Sequence, residues 1–272
     1  MHFVDRAFAR RLESVEEMAQ VLYARAFKKT RPQIGAAEEE ICGGHVIFAG
    51  LGSPIGHAAG IGLDRPFTPD DLDRIERFYR AHKAPSQVDL TPLHDPSVFE
   101  MFKERGYAIA ELNNVLYCKL DAGEKFPASP AGCEIRRSPV EEAEVTSVIV
   151  ESAFFPDGAP EPFRGLITPL YQMENALAFA ASLNGKLVAC GVGLVIREHK
   201  MFALCGAGTL AEYRGRGLQT ALLRARMAAA VEAGCEFAAV VTQGGSTSQR
   251  NAERLGFRTA YSKVTVIKAL QT

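Results

Sequence analysis

The run Glu212-Tyr213-Arg214-Gly215-Arg216-Gly217-Leu218-Gln219-Thr220-Ala221-Leu222-Leu223 carries the clearest chemistry in this chain. Glycines placed between a strand and a helix let main-chain N–H groups approach an anion, and the first helical turn adds free amides and the positive end of its dipole. Arg214 and Arg216 supply charge suited to a diphosphate. No Gly-Lys-Ser/Thr follows, which excludes a P-loop, and the full glycine spacing and ribose-binding acid of a dinucleotide fold are missing. Taken alone, such a turn serves equally well as a simple chain reversal with solvated arginines.

Other reactive side chains are less telling. The six cysteines, Cys42, Cys118, Cys133, Cys190, Cys205 and Cys235, form no C-x-x-C pair, and most lie in apolar stretches such as Leu187-Val188-Ala189-Cys190. They read as reduced core thiols, not a disulfide framework or zinc site. Cys205 has no histidine near it in sequence, so a covalent acyl-enzyme is disfavoured. His45, His57, His82, His94 and His199 show no ligand spacing, and no metal is expected.

Composition bounds what those residues can serve. Hydrophobic residues make up 47% and charged ones 23% of 272 residues, the balance of a globular protein with a real core. With a formal net charge of -1 and a pI near 6.6, no basic field draws nucleic acid or an anionic membrane. Charges in Met1-His2-Phe3-Val4-Asp5-Arg6 interrupt what a signal peptide needs, and no apolar run approaches the ~18 residues of a spanning helix, so a cytoplasmic address is expected.

The elements that must position the loop follow from periodicity and turn chemistry. Ser138-Pro139 opens a helix through about Ser152, with Glu141 and Glu142 in its first turn. Strands over Ala176 to Leu183 and Lys186 to Ile196 are joined by Asn184-Gly185, a type I′ turn. A strand from Met201 to Leu210 precedes a helix from Gly217 to Ala233 with Leu218, Ala221, Leu222, Ala225 and Ala229 on one face. A short strand over Phe237 to Val241, a helix over Ser248 to Leu255 and a strand over Arg258 to Lys268 complete this half.

An internal echo appears at an offset of 150. Met101-Phe102-Lys103-Glu104-Arg105-Gly106-Tyr107 matches Asn251-Ala252-Glu253-Arg254-Leu255-Gly256-Phe257, each a helix stopped by Gly-aromatic before a strand. Upstream, a helix from Ala9 to Lys28, strands near Gly44 to Ala49 and His57 to Leu63, a helix capped by Thr68-Pro69-Asp70-Asp71 and a strand near Gln87 to Leu90 parallel the second half. The expected division is 1–120, a Pro/Gly-bearing linker over 121–132, and 133–272.

With these elements in place, Arg214-Gly215-Arg216-Gly217-Leu218 resembles the Arg/Gln-x-x-Gly-x-Gly/Ala motif of the GNAT superfamily of N-acetyltransferases, lying as there between a strand and a helix. Gln219 departs at the sixth position. The segment Ser246-Thr247-Ser248-Gln249-Arg250-Asn251 through Gly256-Phe257 resembles the helix that superfamily places beside the pantetheine arm. The resemblance implies an α+β fold of two GNAT-like domains in tandem, each a mostly antiparallel mixed sheet flanked by helices, and acetyl-CoA as co-substrate. It implies cofactor contacts from Thr209, Leu210, Arg214, Gly215, Arg216, Gly217, Leu218, Gln219, Thr220, Ser246, Ser248 and Asn251, those of Thr209 and Leu210 through their main chain.

The implied reaction is direct attack of a primary amine on the thioester, on a small molecule or peptide acceptor. Ala252 stands where many members carry the tyrosine that protonates the departing thiolate, which leaves Tyr261, or less readily Tyr213, as candidate acid. Glu151, Asp157 and Glu161 lie where related folds wall the acceptor site. The first half lacks the glycine pair: Gly62-Leu63-Asp64-Arg65-Pro66-Phe67-Thr68-Pro69-Asp70-Asp71 puts a proline and carboxylates at the helix start, so it reads as a degenerate copy without a CoA loop. Two alternatives stay open: a non-catalytic acyl-CoA-binding or protein-interaction module, and a nucleotide-binding protein. A homodimer through a sheet edge is also open.

Overall fold

The first helix begins where Asp5 accepts the Phe8 N–H at 2.8 Å, and α1 (Arg6–Thr30) then buries Phe8, Leu12, Val15, Tyr23 and Phe27 along one side and Val21 with Ala24 against Ile47 on another. The computed structural model describes residues 3–53, 55–121, 123, 129–159, 164–165 and 167–270. Of the sequence expectations, Glu161 and most of 121–128 lie outside these.

By contacts the chain divides into two compact units, one of residues 1–116, 241–246 and 259–272, the other of residues 117–240 and 247–258. The linear division at 121–132 therefore misplaces the C-terminal strand. The reason is pairing: β10 (Arg258–Lys268) runs antiparallel to β3 (Ser86–Leu90) of the first unit, Val264 opposite Leu90 through Lys268 opposite Ser86.

In the first unit, β1 (Ala37–Ile41) and β2 (Gly44–Phe48) form a hairpin turned by Cys42 and Gly43, at φ 52° and 76°. The strand expected over His57 to Leu63 is reduced to bridges at Ala58 and Ala59, because Gly56, Gly60 and Gly62 hold φ of 126°, 70° and 64° and break the extended backbone. Then come α2 (Pro69–Ala81), β3, α3 (Pro96–Glu104) and β4 (Ala108–Lys119), with β10 between β3 and β4 in strand order. Leu72, Ile75, Tyr79, Val88, Leu90 and Phe102 are buried together. β1 escaped the sequence reading because Ala-Glu-Glu-Glu-Ile shows no apolar alternation.

In the second unit the strand order is β9 (Phe237–Gln243), β8 (Met201–Thr209), β7 (Lys186–Ile196), β6 (Ala176–Leu183), β5 (Cys133–Arg137). Asn184 and Gly185 take φ of 50° and 79°, the I′ turn expected between β6 and β7. α4 (Ala143–Phe154) starts later than predicted: Pro139 precedes a 3₁₀ turn over Val140–Glu142, and Glu142 is drawn away from the helix by Arg136 at 2.6 Å and Ser138 at 2.6 Å. α4 and α5 (Leu218–Glu232) cover opposite faces, since Cys190 packs with Ile149 and Val150 while Val188 and Ala189 pack with Leu218 and Leu222. α6 (Thr247–Glu253) follows β9. The element order of the first half thus repeats in the second, with the Ala58–Ala59 bridges standing where β8 stands.

Candidate functional site

Gly215 and Gly217 both occupy the left-handed region, at φ 76° and 78°, which is what turns the chain from β8 into α5. Gly217 is the cap residue of α5 and gives no side-chain cap, so the first-turn amides of Leu218, Gln219 and Thr220 have no helical carbonyl to bond. Arg214, Gly215, Arg216 and Gly217 are exposed around them. The corresponding helix of the first unit is closed. At α2, the Thr68 hydroxyl accepts the Asp71 N–H at 3.3 Å, the Asp71 carboxylate accepts the Thr68 N–H at 3.0 Å, and Arg65 pairs with Asp71 at 2.8 Å. Burial alone would raise the Asp71 pKa, but the Arg65 and Thr68 hydrogen bonds bring it down to about 2.

The loop is braced from below. Arg214 donates through Nε to Thr209 O at 3.2 Å and through a terminal nitrogen to Ala153 O at 3.4 Å, beside the C-terminus of α4. Gln219 donates from Nε2 to the Thr209 hydroxyl at 2.9 Å. The departure from a small residue at this position therefore has a structural use, since it ties the helix start to the strand end. Arg216 and Lys186 lie over the Tyr213 ring, at 5.4 and 5.2 Å from its centroid. Tyr213 thus packs and holds cations, and hydrogen bonding to it raises the Lys186 pKa.

Beside the loop, β8 and β9 separate. Their parallel ladder covers Met201–Phe237, Phe202–Ala238 and Ala203–Ala239, and among the described residues the two strands hold no register beyond Ala203. Gly206 and Gly208 keep this stretch thin: a Cβ at Gly206 would meet Leu170 Cδ1 at 2.4 Å and one at Gly208 would meet Val150 Cα at 2.7 Å.

Several expected residues are placed differently. The Leu210 N–H is already given to Val188 O at 3.0 Å, so this amide cannot present itself to a thioester. Thr209 is buried and holds the loop through its carbonyl and hydroxyl. Tyr261 is not available as an acid, because its hydroxyl donates to Glu13 Oε1 at 2.7 Å in the first unit and burial, then that carboxylate, push its pKa far up. Thr220 is half-buried in the first turn of α5; on α6, Ser248 is exposed and Asn251 half-buried, while Ser246 belongs with the first unit. Glu151 accepts from Ser147 Oγ at 2.7 Å and Gly165 N at 2.6 Å, and Asp157 is exposed. Cys190 donates to Thr146 O at 3.3 Å and burial raises its pKa to about 12, which fits a core thiol.

The sequence reading missed Arg226, which lies on α5 among alanines and leucines and is buried. An arginine there reads as a solvated helix position; the helical spacing from Leu218 and Leu222 was the signal available. Among the described residues no helix is long and apolar enough to cross a membrane, and no group of His, Cys, Asp and Glu could hold a metal ion.

Comparison with known proteins places this geometry. Residues 143–257 match the model of the Acetyltransferase (GNAT) family. A GCN5-related N-acetyltransferase from Kribbella flavida is similar in structure over 93% of this chain and 96% of its own, with TM-score 0.66 and 20% identity. A tandem GNAT protein from the clavulanic acid biosynthesis pathway is similar over 97% of this chain and 95% of its own, with TM-score 0.62 and 14% identity. A functionally unknown conserved protein from Staphylococcus epidermidis gives TM-score 0.58 at 12% identity, covering 90% of this chain and 98% of its own. These identities establish a shared fold. No curated protein matches the sequence.

Proposed function

We propose that the chain, whose residues 143–257 match the Acetyltransferase (GNAT) family model, transfers an acyl group from an acyl-CoA, acetyl-CoA first among them, to a primary amine. The observation that carries this reading is the contrast between the two helix starts. α5 offers the uncapped amides of Leu218, Gln219 and Thr220 directly after two left-handed glycines and two exposed arginines, whereas at α2 Thr68 and Asp71 cap each other. A diphosphate fits the first and meets carboxylates at the second. The end of the β8–β9 ladder at Ala203 and Ala239 suits an extended, amide-bearing chain such as pantetheine lying between the two strands.

In the transfer, the amine nitrogen bonds to the thioester carbon, the carbonyl electron pair moves onto oxygen, and the C–S bond then breaks. The amine proton leaves to water and the thiolate takes a proton from solvent. An amine of pKa ~10 must be deprotonated before attack, so transfer rises with pH. With Tyr261 committed to Glu13 and Ala252 at the usual tyrosine position, the described residues of α6 and β10 supply no tyrosine acid. That observation also favours a second reading, a domain that binds acyl-CoA without transfer. CoA release from acetyl-CoA, followed with a thiol reagent across a panel of polyamines, amino acids and peptide N-termini, decides: release above the no-amine rate supports the enzyme. Tight CoA binding with no release from any amine supports the binding module.

A further inference from the structure

Among the described residues, Arg226 is a buried cation with no carboxylate paired to it. It is 2% exposed, and its guanidinium is solvated by carbonyls: Nε donates to Leu222 O at 3.2 Å and one terminal nitrogen to Val192 O at 3.0 Å and Cys205 O at 3.5 Å. No Asp or Glu pairs with it among the described residues; burial lowers its pKa to about 10, with Cys205, Cys190 and Tyr171 acting the other way, which leaves it charged at neutral pH. Burying an uncompensated charge is unfavourable, and a leucine at this helix position would pack without that penalty.

The surrounding backbone is built to admit it. A Cβ at Gly191 would lie 2.7 Å from the Arg226 Cζ, so any larger residue there on β7 would push the guanidinium from its present place. The β7–β8 register slips between Cys190 and Val192, leaving Gly206 and Ala207 without register partners. Val192 and Cys205, whose carbonyls Arg226 holds, are the register pair bordering that slip. Gly206 follows at φ 48°. The Cys205–Gly206 peptide is trans, so the Gly206 N–H points away from the carbonyl that faces Arg226. A cation on that carbonyl polarises the peptide and strengthens the N–H as a donor on its far side.

We propose that Arg226 is a positioning residue for acyl transfer: it fixes the slipped stretch of β8 and polarises the Cys205–Gly206 peptide, making the Gly206 N–H the donor to the thioester oxygen. This rests on the acyl-CoA reading above. As the amine nitrogen bonds to the carbonyl carbon, the electron pair displaced onto oxygen is met by that N–H, and it returns as the C–S bond breaks and the thiolate leaves. Arg226 touches neither substrate and acts through the peptide.

The test uses the full chain and [1-¹³C]acetyl-CoA, so no acceptor need be known. On binding to the wild type, the thioester carbonyl resonance moves downfield. In Arg226→Met, with the variant saturated by acetyl-CoA as its raised Tm shows, the shift is lost; Arg226→Lys restores part of it. Gly191→Ala, which crowds the guanidinium without removing its charge, reduces the shift and stands in should Arg226→Met not fold. A bound resonance identical in wild type and variants, or one that does not move on binding, overturns the proposal. Failure of the wild type to bind CoA overturns instead the reading on which it rests.

Discussion

Replacing Lys263 by methionine removes the cation from a buried cluster that fastens the C-terminal strand into the first unit. The Lys263 ammonium lies 3.2 Å from Asp89 Oδ2 and 3.7 Å from Glu13 Oε2, and the three side chains are 2%, 3% and 1% exposed. His57 Nδ1 and the Thr265 hydroxyl sit on the other Asp89 oxygen, at 3.1 and 2.7 Å. Each close ion contact is worth about 5 kcal/mol at an effective dielectric near 20, against desolvation of the same order. Breaking such a group leaves two carboxylates without their cation, which costs about 3–5 kcal/mol. For units of this size that is a fall in Tm of roughly 6–20 °C.

Differential scanning calorimetry at pH 7 reads the fall, and a pH series checks its cause. Burial alone would raise the Asp89 pKa, but the charges of Lys263 and His57 hold it well below the ordinary carboxylate range. A depressed carboxylate gives stability that is full above its unfolded pKa and lost as pH falls through its folded one. The difference between wild type and variant therefore narrows in acid, as Asp89 protonates. Adding Glu13→Gln and Asp89→Asn to Lys263→Met regains much of the loss at pH 7. A Tm change under about 2 °C at pH 7, or a difference constant down to pH 3, refutes the reasoning.

Further expectations concern single sites. Tyr261→Phe removes the hydrogen bond to Glu13 and lowers stability by about 1–3 kcal/mol, while CoA release with any amine that serves stays unchanged; a drop in transfer with normal stability would return Tyr261 to the reaction. Gly208→Val drives a side chain into the α4 backbone, Val150 Cα lying 2.7 Å from the first added carbon, and urea unfolding shows a loss of about 1–3 kcal/mol or more. At pH 8 the buried Cys190, with its pKa raised to about 12, resists alkylation until the chain is unfolded, as peptide mass mapping reads directly. For His57 burial works against the proton, but Asp89 outweighs it and raises the pKa. Its contribution is present below the ordinary histidine value and is lost as pH rises through the raised one, and imidazole NMR shows titration above pH ~6.5.

Much of this was written in local sequence. The Asn184-Gly185 turn, the bounds of β6, β7 and β10 and the cap at Thr68 follow from residues acting on their immediate neighbours. The glycine-arginine loop was legible for the same reason, since its two left-handed positions need glycine whatever lies around them. What escaped depends on partners remote in sequence. Nothing near Tyr261 announces Glu13, and nothing in Arg258–Lys268 says that the strand pairs with Ser86–Leu90 and leaves its own half. The His57–Leu63 segment has strand-forming composition, but its glycines decide the backbone. Arg226 was hidden because its acceptors are main-chain carbonyls on β7 and β8, which carry no side-chain signature.

The central claim, that the uncapped start of α5 binds the diphosphate of an acyl-CoA, meets its most direct test in calorimetric titration of acetyl-CoA into the wild type and into Gln219→Glu. This substitution keeps the shape of the side chain, puts a carboxylate where the helix dipole tolerates one, and sets a negative charge against the ligand. The wild type binds, and at ~100 times its dissociation constant acetyl-CoA adds about 2.7 kcal/mol to stability. Gln219→Glu, folded and equally stable alone, binds at least about tenfold more weakly, a difference of about 1.4 kcal/mol. No binding by the wild type at millimolar acetyl-CoA, or equal binding by the two proteins, contradicts the account.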